Sequence, residues 1–185
     1  MRKSLATAAM LACLCLTAVG AFAGQVNTQS RARELAASFS KSKHEVKERH
    51  GVRVEKFKDV RSEPVFKADA RGYSGTYEAD FGCALTITVG ADGRAEASGS
   101  EPTSDLARPR RFTLRNARVA GALLTGTKVY DDGATEELEG VFINRTERNS
   151  PTDAGTMTFG LGVVFDPPKV GQSFVMTRLF YAVKR

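Results

Sequence analysis

Tryptophan is missing from this 185-residue chain, and histidine and cysteine are scarce, at 2 and 3. A zinc knuckle or a histidine-rich metal centre needs several thiolates or imidazoles at close spacing, so both classes are excluded at once. Without tryptophan the commonest sugar-stacking platform is also absent, although Tyr73, Tyr77 and Tyr130 could substitute. A strong charge of one sign is missing too. Lys+Arg 27 against Asp+Glu 21 gives +6, which is no nucleic-acid signature by itself. What remains is ordinary globular composition, 42% hydrophobic and 26% charged.

The cysteines are unevenly placed. Arg2 and Lys3 precede an uncharged Ala/Leu-rich run from Leu5 to Phe22, and Ala21-Phe22-Ala23 puts small residues at a cleavage site. Residues 1–23 therefore read as a signal peptide removed before Gly24, and the protein is expected in the periplasm or secreted. Thr7, Thr17, Gly20 and the cleavage site argue against a membrane anchor. Cys13 and Cys15 leave with that segment, so Cys83 is the single thiol of the remaining chain and no internal disulfide can form. Cys83 shares one strand face with Leu85, Ile87 and Val89, which makes it a buried small hydrophobe.

Charge and periodicity then divide the chain. Residues 28–71 hold 12 Lys/Arg and 7 Asp/Glu, whereas residues 72–185 hold 13 and 14. Residues 24–71 read as a basic helical segment and connector. An amphipathic helix is expected from Gln29 to His50, with Leu35, Ala36, Phe39 and Val46 on one side and i,i+4 pairs at Lys41/Glu45 and Glu45/Arg49. Residues 52–71 read as a short strand or extended connector broken by Pro64.

From Gly72 the period changes to two. Strands are expected around Tyr73–Ala79, Cys83–Val89, Arg94–Ser98, Phe112–Leu114, Leu123–Tyr130, Thr135–Asn144, Thr156–Phe165 and Ser173–Val183, with hairpin turns at Asp92-Gly93 and Asp132-Gly133. The fold class is all-β: an antiparallel meander over 72–185 of about eight strands, barrel or sandwich, preceded by the N-terminal helix. Both sides of the last strand are apolar, so it is expected to be either a central strand or one covered by the N-terminal helix.

No catalytic constellation emerges. His44 and His50 lie in the charged segment away from Cys83, and their spacing fits neither a nucleophile–base pair nor a zincin. The acidic run Asp131, Asp132, Glu136, Glu137 and Glu139 lacks calcium-loop spacing and reads as a solvated hairpin. No cofactor or metal ligand is singled out. Two groups suggest contact with a partner. One is the basic cluster Arg108, Arg110, Arg111 and Arg115. The other is Tyr130, Phe142, Asn144 and Arg145, which combine an aromatic, an amide and a guanidinium as binding hot spots do.

The functional expectation is an exported, non-enzymatic β-domain that binds a partner, by preference an envelope or secreted protein in the manner of an inhibitor or immunity factor. An anionic envelope polymer or lipid headgroup is a further partner for the basic features, and nucleic acid is disfavoured. Two alternatives stay open. One is a carrier of a small apolar ligand or lipid, with Gly160 and Gly162 making room inside a barrel. The other is an envelope hydrolase using paired carboxylates.

Overall fold

The computed structural model describes residues 27–102, 109–165 and 176–183. The expected signal peptide and Arg108 lie outside these residues.

Residues 27–38 form helix α1. Ala32, Leu35 and Ala36 are buried, and Phe39 continues the same i, i+3, i+4, i+7 stripe. The helix stops in a serine-rich stretch. The Ser38 hydroxyl donates to the Leu35 carbonyl at 2.6 Å, and the N–H groups of Phe39 and Ser40 reach back only to Ala36 and Ala37. Ser62 then pins the exit: its N–H donates to Ser40 Oγ at 2.9 Å and its hydroxyl to the Phe39 carbonyl at 3.1 Å.

The helix expected from Gln29 to His50 is corrected here, because Lys41–Arg49 is strand β1. The charged pairs that suggested helix do not discriminate. Residues four apart share a face in a strand as well as in a helix. Ser38, Ser40 and Ser42 compete with helical backbone bonds at the crossing point.

The remaining strands are β2 (Val52–Pro64), β3 (Gly75–Ala79), β4 (Cys83–Val89), β5 (Ala95–Glu101), β6 (Arg110–Ala120), β7 (Leu123–Tyr130), β8 (Thr135–Arg148), β9 (Thr156–Phe165) and β10 (Met176–Ala182). Strands β3 to β10 run as an uninterrupted meander, each pairing with the next, and β10 returns to β3. The result is a closed eight-stranded antiparallel barrel preceded by a helix. Of the two expected all-β architectures, the chain adopts the barrel.

Strand β8 is longer than the barrel wall needs. Its first half pairs with β7 up to Val141. From Ile143 to Arg148 the same edge is taken by Pro64–Asp59 of β2. The handover is at Phe142, whose N–H donates to the Ala122 carbonyl while its own carbonyl accepts from Val65 N–H. From this seam β1 and β2 run out together as a hairpin arm, in register from Lys41↔Val60 to Arg49↔Val52. The tip is His50-Gly51, with φ of 51° and 75°, the left-handed pair that a tight two-residue turn demands.

Alternation along the barrel strands builds two apolar layers. Inward lie Cys83, Leu85, Ile87, Phe112, Leu124, Phe142, Leu161, Val163 and Phe180. Tyr73, at the end of the short turn Ala70–Tyr73, closes one end of the barrel. Its ring stacks on Phe142 at 4.4 Å, and its hydroxyl donates to the Val65 carbonyl and accepts from Lys67 N–H. Outward lie Leu123, Val141, Ile143 and Val164, and α1 covers them with Ala32, Leu35 and Ala36. Arg31 fixes the helix further by a two-pronged bond to Glu139 of β8, at 2.9 and 2.6 Å.

Gly160 and Gly162 alternate with the inward Leu161 and Val163, so they face the outer wall. A Cβ on Gly162 would lie 2.6 Å from the Phe39 ring, which fills the notch from outside. The space these glycines were expected to leave for an internal ligand is therefore on the other side of the sheet, and at Gly162 an aromatic ring occupies it.

Candidate functional site

One end of the barrel interior is polar. Glu101 of β5, Lys128 and Tyr130 of β7, Glu136 of β8, Arg178 of β10 and Cys83 of β4 converge there. Lys128 is only 1% exposed. Its ammonium donates to Glu101 Oε1 at 2.5 Å, Glu136 Oε2 at 3.2 Å and the Tyr130 hydroxyl at 3.3 Å. The Tyr130 hydroxyl lies 2.8 Å from Glu136 Oε2 and 3.1 Å from Glu101 Oε2. Arg178 Nη1 lies 2.7 Å from Cys83 Sγ and 3.4 Å from Glu101 Oε1. Arg110 closes the cluster from β6, its guanidinium 3.6 Å from the Tyr130 ring centre and paired with Asp132 at 2.7 Å.

Burial sets the chemistry of these groups. It pushes the Tyr130 phenol well above its ordinary value, and the Glu136 carboxylate adds to this, so the hydroxyl keeps its proton. Burial also raises the Cys83 thiol, against the pull of Arg178, and a thiol held protonated is a poor nucleophile. Two carboxylates meet two cations. Such a network compensates its own charge and ties five strands together. Glu101 and Glu136 do converge, as a hydrolase would require, but they converge on Lys128 and Tyr130 inside the wall.

The expected partner-binding residues are dispersed. Arg110 and Tyr130 come together as described. Arg111 and Arg115 point outward and are exposed on β6. Phe142 is 0% exposed and stacks between Tyr73 and Phe159. Asn144 and Arg145 alternate onto opposite faces of β8. Asn144 sits opposite Glu63, while Arg145 donates to the Tyr181 hydroxyl at 2.9 Å on the outer side and pairs with Glu147. The sequence reading did not single out Glu101, Lys128 or Arg178, and it placed Glu136 in a solvated hairpin, whereas that carboxylate is turned inward onto Lys128 and Tyr130. A signal for Lys128 existed: it is the one charge in Leu123–Tyr130, at the inward parity of Leu124 and Tyr130.

The β1–β2 arm is the second distinctive surface. Register puts Lys41, Lys43, Glu45 and Lys47 on one face with Val54, Lys56, Lys58 and Val60. The opposite face carries His44, Val46 and Glu48 with Arg53, Glu55, Phe57 and Asp59. On the first face Glu45 is flanked by Lys43 at 3.1 Å and Lys47 at 3.3 Å, and hydrogen bonds from both hold its carboxyl below the ordinary range. On the second, His44 Nε2 lies 2.7 Å from Glu55, with its ring edge-on to Phe57 at 5.7 Å. Val46, Val52 and Val54 are exposed, Val52 to 61%.

No family model, curated protein or solved structure matches the chain. Among the described residues no helix is long and apolar enough to cross a membrane.

Proposed function

We propose that the chain is an exported, non-enzymatic β-barrel that binds a partner through the β1–β2 arm. The observation that carries this reading is the arm's exposure. From Lys41 to Lys58 the two strands leave nearly every residue at least partly open to solvent, three valines included. An isolated two-stranded hairpin is marginal in water, because neither face has a layer to bury against. Here the arm is anchored at its base by the β2–β8 pairing and offers the rest of its surface outward.

The test removes the arm and keeps the barrel. Residues 44–57 are replaced by Asn-Gly between the register partners Lys43 and Lys58. The shortened protein should keep a cooperative thermal transition within a few degrees of the parent. The parent should co-sediment with isolated envelope fragments and the shortened protein should not. Equal co-sedimentation of the two would defeat the reading.

A carrier of a small apolar ligand is the second reading, favoured by the closed eight-strand count, which suits either a packed interior or one small ligand. Against it stands the aromatic packing of Tyr73, Tyr77, Phe142 and Phe159 inside the barrel. Solvent extraction of purified protein followed by mass spectrometry decides it, since a carrier yields a stoichiometric lipid or other apolar compound.

A further inference from the structure

The two faces of the arm differ in sign, and the difference comes from the register. On the face shared with the outer wall of the barrel lie Lys41, Lys43, Lys47, Lys56 and Lys58 against Glu45 alone. On the other face Glu48, Glu55 and Asp59 outnumber Arg53, with His44 paired to Glu55. All five lysines of the arm are thus on one side and three of its four acids on the other. The sequence hides this segregation, because cations and acids are interleaved along each strand and only the pairing sorts them.

The five lysines are exposed. The charge of Glu45 is shared by Lys43 and Lys47, and Lys58 has Glu147 at 3.9 Å at the base of the arm. A surplus of positive charge remains. Val54 stands on the same face, and Val52 lies beside it at the tip, both exposed. Lysines combined with exposed valines distinguish between anionic partners. A water-soluble polyanion satisfies ammonium groups and offers nothing to the valines. A bilayer interface takes both, phosphates meeting the lysine heads while valines and lysine stems enter the headgroup layer.

Resting on the reading that the arm is the contact element, we propose that its lysine face docks flat on an anionic lipid bilayer, with the valine tip in the headgroup layer. Near an anionic surface each lysine contributes about a fivefold gain in partitioning. Lipid attachment would hold the barrel beside the membrane with its outer wall and α1 on the membrane side.

The experiment measures binding of the whole protein to vesicles of equal parts phosphatidylglycerol and phosphatidylcholine, and to phosphatidylcholine alone. Binding is expected only to the first and should fall steeply as salt rises from about 0.1 M to 1 M. Replacing Lys43, Lys47, Lys56 and Lys58 by Gln should weaken it by roughly 100-fold or more. A charge-matched control with Arg53, Arg71, Arg94 and Arg118 replaced by Gln should bind within about threefold of the parent. The replaced side chains are exposed in both variants, and circular dichroism checks that both barrels are intact. Equal loss in the two variants, or equal binding to both kinds of vesicle, overturns the proposal. Absence of vesicle binding while the arm still governs co-sedimentation with envelope fragments also overturns it, and leaves the arm as the contact element for an acidic protein.

Discussion

Lys128 shows how one residue can fix the end of a barrel. An ammonium enclosed by protein is costly unless carboxylates and hydrogen bonds surround it, and here Glu101, Glu136 and Tyr130 do so. The same enclosure makes its removal severe. In Lys128→Met the side-chain volume is nearly kept, but two carboxylates are left facing one another across the Tyr130 hydroxyl. That change should lower unfolding stability by about 3–5 kcal/mol. Adding Glu136→Gln should recover much of the loss, because the one carboxylate that remains, Glu101, still has Arg178 as its partner. Urea denaturation of the three proteins measures it. A mild effect of Lys128→Met alone would mean that water reaches the carboxylates.

At the scale of elements, the barrel strands were legible, as was β2, which matches the short strand expected within 52–71 and ending at Pro64, whereas β1 was not. Strict alternation such as Met157, Phe159, Leu161, Val163 and Phe165 marks a half-buried strand directly, and Asp132-Gly133 marks its kind of turn. Sequence pattern leaves barrel and sandwich open, because closure depends on the pairing of β10 with β3, about a hundred positions apart. Strand β1 was missed for a different reason. Its alternation is between two kinds of polar residue, so no apolar face announces a strand, and its helix-like charge spacing fits either structure. The dispersal of the expected binding residues has the same origin: Asn144 and Arg145 are neighbours in sequence and therefore opposites in a strand. Helix α1, by contrast, was legible as far as its buried stripe extends. Leu35 sits against the outer layer of Val141, Ile143 and Val164. Leu35→Ala should cost about 2–3 kcal/mol in denaturant unfolding. If the helix were a loose appendage, the same substitution would leave the transition unmoved.

For the molecule as a whole, the barrel gathers three of the four tyrosines, Tyr73, Tyr77 and Tyr130, into its interior. Each phenol is raised above its ordinary value near 10, in every case chiefly by burial. The folded chain therefore holds these protons more tightly than the unfolded chain does. Their contribution is complete below the unfolded value and is lost as pH rises through the folded ones. Cys83, also raised by burial, acts in the same direction from about pH 9. Stability should thus be insensitive to these groups at neutral pH and decline beyond about pH 10. Phenolate absorbance from the three interior tyrosines should arrive together with loss of the β-sheet circular dichroism signal, in one transition. Tyr77→Phe removes one of the three titrating phenols and should make the alkaline decline shallower. Complete phenolate formation near pH 10 with the sheet signal intact would mean that the interior is open to water, contrary to the packing of Tyr73 and Tyr77 on Phe142 and of Tyr130 on Phe112.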